Sequence, residues 1–259
     1  MVIRRFNRYE LKYIIPITLR DLLLEDIMKN AQPDPYSGLD GYPLVSLYYD
    51  SPTLECFWNK IEGIKFRRKV RLRIYPANPI ETTTKGMVEI KQRINRTVQK
   101  KRVKMPLDLA HTLCTTGVIP PDFELDELDD QVVNEVQFMV HSLQLQPACI
   151  TAYHRQAFMG SQYESGLRIT FDMNVSYRTH ELEVNANTAN HLFLPSDWTI
   201  LEVKANDRIP NWVMSMLTKH NCELGRVSKY CAGIAKDRMQ ELMHLAMSPI
   251  PELEGKNNG

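Results

Sequence analysis

The chain has 259 residues, 32 Lys and Arg against 31 Asp and Glu, and a formal net charge of +1. It is 43% hydrophobic and 24% charged, a globular composition long enough to bury a core without staples. No run approaches the ~18 apolar residues of a membrane helix, and the start MVIRRFNRYELKY lacks the apolar stretch of a secretory signal. Five cysteines (Cys56, Cys114, Cys149, Cys222 and Cys231) without a CxxC pair support neither a disulfide scaffold nor a zinc site, so a reducing cytoplasm is expected.

Arg4–Ile15 alternates as a strand. Thr18–Ala31 has helical spacing (Leu19, Leu22, Leu23, Ile27), with Thr18 as its expected N-cap and Pro33 and Pro35 behind it. Pro43–Asp50 reads as a strand and Thr53–Glu62 as a short helix or turn. Arg67–Tyr75, Gly86–Arg93 and Thr97–Met105 follow as strands. Pro106–Gly117 and Leu125–Leu145 read as helices, and Ala148–Met159, Leu167–Tyr177 and Trp198–Ala205 as strands. Pro210–Asn221 is a helix opened by proline, and Lys229–Leu245 is another. Residues 1–247 are expected to form a single domain, and 248–259 a flexible tail.

The near-zero total hides an uneven distribution. Lys60–Lys104 holds 15 Lys and Arg against 3 Asp and Glu, whereas Pro106–Gln146 holds 8 carboxylates and no Lys or Arg. Such a basic block either meets a polyanion or is a solvated sheet face balanced by an acidic neighbour.

Strand periodicity sharpens the choice, because residues two apart share a face. In RRKVRLRIY, Arg67, Lys69, Arg71 and Arg73 oppose Val70, Leu72 and Ile74. In LRITFDMNVSY, Arg168, Thr170, Asp172, Asn174 and Ser176 oppose Leu167, Ile169, Phe171, Met173 and Val175. Glu202 and Lys204 oppose Leu201 and Val203. Glu10 and Lys12 oppose Tyr9, Leu11 and Tyr13. Glu89, Lys91 and Arg93 oppose Val88 and Ile90, and Tyr153 shares a face with Arg155. Arg and Lys dominate these polar faces. If the sheet closes with them inward, the lumen is a cationic tunnel. The acidic helices would then pack outside, on Val70, Leu72, Ile74, Val88 and Ile90.

In order, RYELKY, SLYYDSP, KVRLRIY, MVEIKQR, TAYHRQAF, LRITFD, ILEVKAN and VSKYCAGI resemble the VTC domain, the polyphosphate-polymerase branch of the triphosphate tunnel metalloenzymes. The resemblance runs from about Arg8 to Ala235. It implies an α+β fold: an antiparallel eight-stranded closed barrel with a cationic lumen and helices outside. It also implies ATP and inorganic polyphosphate as ligands, Mn²⁺ or Mg²⁺ as cofactor, and transfer of the ATP γ-phosphate onto a growing polyphosphate chain. Carried over by position, Lys12, Arg71, Arg73, Lys91, Arg155 and Lys229 would act in catalysis. Lys101 (or Lys100, which the match through TVQKKR does not separate), Tyr153, Lys204, Ser228, Glu10 and Arg168 would bind substrate. Glu202 would hold the metal.

One departure is Arg8, which stands where related tunnel enzymes that hydrolyse triphosphates begin ExExK; this weakens the case for two-metal hydrolysis. Eukaryotic VTC proteins also carry membrane spans and an inositol-phosphate-sensing domain. Neither is in this sequence, which implies that regulation and export involve a separate membrane protein. Alternatives remain for individual residues: Glu202 and Lys204 as a surface ion pair, Tyr153 as a core aromatic, Ser228 as a helix cap, and His141 as structural. Alternative functions are a tunnel-fold triphosphatase and a non-catalytic polyphosphate-binding module. Nucleic acid is not expected as a partner, because the carboxylates among the cations would weaken simple backbone binding.

Overall fold

The alternating segments pair side by side in the computed structural model, which describes residues 8–247 apart from 37, 77–83, 96, 165, 187 and 207. The expected tail at 248–259 and the first four residues of the expected opening strand lie outside the described residues. Ten strands form one antiparallel sheet: β1 (Arg8–Pro16), β2 (Ala31–Pro33), β3 (Tyr42–Asp50), β4 (Phe66–Ile74), β5 (Lys85–Ile94), β6 (Thr97–Pro106), β7 (Gln146–Gly160), β8 (Arg168–Arg178), β9 (His191–Leu192) and β10 (Trp198–Asn206). The order is β1-β10-β8-β7-β3-β4-β5-β6, with β2 beside β7 and β9 beside β8. The helices are α1 (Ile17–Asn30), α2 (Glu55–Ile61), α3 (Leu107–Thr116), α4 (Glu127–Leu143), α5 (Asn211–Lys219) and α6 (Lys229–Met247).

The closed eight-stranded barrel expected from the sequence is not formed. Among the described residues the sheet is open: β1 pairs with β10 alone and β6 with β5 alone. The segment leading into α6 occupies the free edge of β1. Leu224 bridges to Tyr13, and the Gly225 N–H donates to the Lys12 carbonyl at 2.7 Å. The other edge, β6, carries Lys100, Lys101, Arg102 and Lys104, and charge of that kind disfavours a further strand. The sheet is nonetheless strongly curled. Lys91 Nζ of β5 lies 3.7 Å from Glu10 Oε1 of β1, although five strands separate them in the sheet order.

The apolar faces turn outward, under helices. Val70, Leu72, Ile74, Val88 and Ile90 pack against Ala110 and Leu113 of α3 and Val132, Val133, Val136 and Met139 of α4. The acidic helices therefore lie outside, as their apolar stripe predicts. Phe138 of α4, apolar like its neighbours, is instead exposed, with the Arg68 guanidinium 5.8 Å from its ring centre. On the other half of the sheet, Leu23 and Ile27 of α1 and Val213 and Leu217 of α5 cover Ile169, Phe171, Leu201 and Val203. Full burial of such a side chain contributes about 1.5–3 kcal/mol, so these two layers fasten the helices to the outer face of the sheet. Thr18 does not cap α1. The helix starts one residue earlier, behind Pro16, with no side-chain cap.

A bulge in β8 breaks the expected alternation. Ala152 pairs with Ser176 but His154 pairs with Met173, so β8 carries one extra residue. Asn174 absorbs it at φ 50°, a left-handed conformation that asparagine tolerates. Asp172 keeps its polar-face position. Beyond the bulge, Val175 and Tyr177 join Tyr153 and Ile200 in a cluster with Tyr230 and Ile234 of α6. Val175 was expected on the helix-covered face, but the extra residue turns it to the concave side. The start of α6 consequently sits over one end of the concave polar face.

Candidate polyanion site

Two ion networks occupy the concave face. The first surrounds Glu89 of β5, which is fully buried. Arg71 Nε lies 2.5 Å and Arg73 Nε 3.8 Å from its Oε2, and Lys100 pairs with Oε1. Arg71 also donates to the Tyr48 hydroxyl at 3.1 Å, and Arg73 to Ser46 Oγ at 3.2 Å and to the Tyr153 hydroxyl at 3.4 Å. Burial alone would raise the Glu89 carboxyl. Arg71, Arg73 and Lys100 outweigh it and hold the group at about 2. Burial likewise opposes ionisation of Tyr48, but the Arg71 and Arg73 charges bring its phenol down to about 8.

The second network surrounds Glu202 of β10 and Asp172 of β8. Glu202 meets Lys12 at 3.0 Å, Lys204 at 2.5 Å and Arg155 at 3.6 Å. Its carboxyl is held well below the usual range: burial works against this, and Lys204, Lys12 and Lys229 overcome it. Asp172 accepts two parallel bonds from Arg155, at 2.6 and 2.8 Å, and a third contact from Lys229 Nζ at 2.6 Å. The Lys229 ammonium also lies 4.6 Å from the Tyr153 ring centre. Lys12 bonds Glu10 at 3.1 Å as well as Glu202, and these two carboxylates hold it above the ordinary lysine range despite burial. Lys204 behaves oppositely. It touches one carboxylate and faces Arg155, so burial followed by that repulsion brings it down to about 8.

Lys12, Arg71, Arg73, Lys91, Lys100, Arg155, Lys204 and Lys229 thus confront Glu10, Glu89, Asp172 and Glu202. That is eight cations to four carboxylates, an excess of four positive charges in a curved, half-buried surface. The carboxylates fix the cations in place, and the surplus attracts an anion of matching charge.

Most sequence-derived candidates meet here, with three differences. Lys101 lies on the opposite face, 2.5 Å from Glu135 of α4, and its neighbour Lys100 points at Glu89. The β6 register decides what the sequence match left open, and Lys101 is corrected to Lys100. Ser228 stands at the start of α6, where its Oγ accepts from the Cys231 N–H at 3.5 Å and its carbonyl from the Ala232 N–H at 2.8 Å. This is a capping position. Arg168 bonds Asp34 at 2.8 Å and the Tyr42 hydroxyl at 2.9 Å, at the margin of the Glu202 network. Tyr153 is both a core aromatic and a site residue, with its ring in the α6 cluster and its hydroxyl on Arg73. Glu89, Asp172 and Tyr48 were not among the candidates. The alternation already placed Glu89 and Asp172 on charged faces, and a lone carboxylate amid Arg and Lys was the available signal.

Among the described residues, no three His, Cys, Asp or Glu side chains gather into a metal-binding group. Glu10 and Glu202 converge on Lys12, so two carboxylates are close enough to share one cation. That donor set suits only a hard ion that keeps water and phosphate oxygens as its other ligands, as Mg²⁺ and Mn²⁺ do. No helix among the described residues is long and apolar enough to cross a membrane.

The fold and charge define a class: an open, curled antiparallel sheet whose concave face carries a fixed surplus of cations. The VTC domain family model matches residues 7–237, and the chain belongs to that family. Membership relates it to polyphosphate and phosphoryl-transfer proteins. No curated protein matches it by sequence. Among solved structures, similar ones include a Bacillus halodurans protein described as a candidate adenylate cyclase (9% identity, 85% of this chain and 92% of that one, TM-score 0.48). A Pyrococcus horikoshii protein is also similar (13% identity, 89% and 99%, TM-score 0.45), as is a chain of the Schizosaccharomyces pombe Mediator head module (9% identity, 93% and 96%, TM-score 0.43). At these values none of the three bears on activity.

Proposed function

We propose that the protein is a metal-dependent polyphosphate polymerase that transfers the γ-phosphate of ATP to the end of an inorganic polyphosphate chain. The observation that carries this reading is the surplus of four cations within the two ion networks, close to the charge of a fully ionised nucleoside triphosphate. Phosphoryl transfer asks a protein chiefly for positioning and charge neutralisation. Arg71 and Arg73 present planar donors to non-bridging oxygens. Lys12, Lys91, Lys100, Lys204 and Lys229 add point charges. Glu89 and Asp172 aim the arginines before substrate arrives. Glu10 and Glu202 would hold Mn²⁺ or Mg²⁺, which would supply charge neutralisation at the phosphate oxygens.

In the reaction, a terminal oxygen of the polyphosphate chain attacks the γ-phosphorus. The bond from that phosphorus to the β-bridging oxygen breaks, and ADP leaves with its electron pair. The attacking oxygen is already anionic at neutral pH, so no general base is required. This agrees with a site made of cations and buried, low-pKa carboxylates.

The deciding experiment incubates the protein with ATP and Mn²⁺ and resolves the products on a gel. A phosphate ladder is expected. Free phosphate alone would mean a triphosphatase, and binding without turnover would mean a polyphosphate-binding module.

A further inference from the structure

The basic row on β4 does not stop at Arg71. Lys69 and Arg67 continue it on the same face toward the start of the strand. Across the ladder, Lys69 is directly opposite Lys91 and Arg67 directly opposite Arg93, and like charges so placed destabilise a sheet. Lys60 of α2 approaches the same group. Burial, then repulsion from Arg67, Lys69 and Arg93, makes its charge harder to hold, although nearby Cys231 acts in the other direction. Among the described residues, no carboxylate forms an ion pair with Lys60, Arg67, Lys69 or Arg93. None of their hydrogen-bond partners is a carboxylate: Arg67 donates to the Ile64 carbonyl at 2.6 Å, Arg93 to the Asn95 carbonyl at 2.8 Å, and Lys69 to Cys231 Sγ at 3.1 Å. Of the four, Lys60 lines a cavity of about 290 Å³ together with Ile61, Arg226 and Cys231, the last of which Lys69 contacts. The inner site balances half its cations with carboxylates, whereas this outer cluster has none.

We propose that Lys60, Arg67, Lys69 and Arg93 form a second anion-binding site, which holds the non-reacting length of a long inorganic polyphosphate while the chain end occupies the inner site. The proposal rests on the polyphosphate reading of the inner site. From Arg67 to Arg73 the row spans roughly 20 Å of extended strand, longer than one triphosphate group. A polymer of phosphates can follow such a row; a nucleotide cannot. Single-stranded nucleic acid fits less well, because it needs free ring faces for its bases. The two rings nearest Lys69 are engaged: Tyr48 stacks on Tyr230 at 5.2 Å, and the Lys69 ammonium lies 4.4 Å from the Tyr230 ring centre.

The test compares the affinities of the full chain for long-chain polyphosphate and for tripolyphosphate, in wild type and in a Lys60→Gln, Arg67→Gln, Arg93→Gln variant, over a range of salt. Long-chain affinity should fall by about tenfold or more and its salt dependence should flatten, so that the preference for long chains collapses. Removing mutually repelling charges should leave the melting temperature unchanged or raised. If the triple variant does not fold, Arg67→Gln and Arg93→Gln singly must each lower long-chain affinity. An unchanged long-chain affinity, or an equal loss on both ligands, overturns the proposal. So does loss of single-stranded RNA binding with polyphosphate binding intact. A wild type that makes no polyphosphate but shows the selective loss rejects the polymerase reading and keeps this site. A wild type that polymerises, with long-chain affinity unmoved in the variant, does the reverse.

Discussion

Lys12 and Glu202 are direct cross-strand partners in β1 and β10, and their charged atoms meet at 3.0 Å on the concave face. Among the described residues the pair joins the first strand to the last in chain order, and Lys204 contacts the same carboxylate from the other side. Three cations and one carboxylate therefore share a half-buried spot, with Arg155 at 3.6 Å as the third. Lys12 also meets Glu10 and Arg155 also meets Asp172, so the consequence falls on the cation with the fewest carboxylates.

That cation is Lys204, brought from 10.5 to about 8. The sign follows from proton linkage. Between about 8 and 10.5 the unfolded chain binds the proton that folded Lys204 has released, so this group's effect on stability improves as pH rises through that window. Anion binding moves the other way, because Lys204 loses its charge above pH 8. The pH profile of kcat/KM for ATP reports the free enzyme and should fall on its alkaline side near 8. Lys204→Arg should carry that limb beyond the range in which the protein is stable. An alkaline limb that stays put in the arginine variant would assign it to another group, with the Tyr48 phenol, also at about 8, the first to examine.

Glu89 makes a separate, acid-side prediction. Its carboxyl is lowered from 4.5 to about 2, so the stability it contributes is complete above 4.5 and is lost as pH falls toward 2. Glu89→Gln leaves Arg71, Arg73 and Lys100 around an uncharged side chain. Loss of one partner from a buried ionic group costs about 3–5 kcal/mol. Chemical denaturation at neutral pH should show a loss of that order. Between pH 4.5 and 2 the variant's stability should depend on pH less steeply than wild type, by roughly one proton. Wild-type stability at pH 7 in the variant would mean that Glu89 does not organise the two arginines.

How far the sequence discloses this site depends on the element. The two-residue period of RRKVRLRIY placed Arg71 and Arg73 on the polar face and Val70, Leu72 and Ile74 under the acidic helices, because β4 runs without irregularity through that stretch. The same rule failed in β8 at Val175, since one extra residue at Asn174 reverses every later side chain and nothing in LRITFDMNVSY marks it. Closure into a barrel was not legible, because strand periodicity says nothing about which edges meet. Here Leu224 and Gly225 occupy the edge that closure would need. The counter-ions were under-read. Glu89 and Asp172 sat on correctly assigned faces, yet their role emerges only when β4, β6, β7 and α6 bring their cations within bonding distance.

Lys100 and Lys101 are adjacent in sequence and opposite in environment, which gives an internally controlled test. Lys100 faces the buried Glu89, and Lys101 is an exposed partner of Glu135 on α4. Lys100→Ala should lower kcat/KM for ATP by about tenfold or more, since it removes one charge from the face proposed to bind phosphate. Lys101→Ala loses a surface pair worth at most about 1 kcal/mol and should keep near-normal kinetics. Equal losses in the two variants, with both folded, would show that β6 contributes bulk charge and that its register does not matter.

The acidic helix α4 supplies the last prediction. Asp126 caps it, its Oδ1 accepting from the Asp129 N–H at 2.8 Å, and Glu127, Asp129 and Asp130 fill its first turn. Its apolar side, Val132, Val133, Val136 and Met139, is buried against α3 and the outer face of the sheet. Among the described residues, only Glu135 of this helix forms ion pairs with the sheet, and it meets Arg68 and Lys101 on the outer side. Four carboxylates at the start of α4 thus interact with a helix terminus and solvent, and the sheet separates them from the concave cations. Replacing Asp126, Glu127, Asp129 and Asp130 by their amides keeps an asparagine cap but removes the negative charge that favours a helix N-terminus. The melting temperature should drop by about 2–4 °C, the shift expected for a loss near 1 kcal/mol in a domain of this size. Kinetics with ATP should remain close to wild type, and protein solubility should become more sensitive to salt. A large loss of turnover at unchanged stability would place α4 within the working site, and the assignment of the concave face as the phosphate-binding surface would then fail.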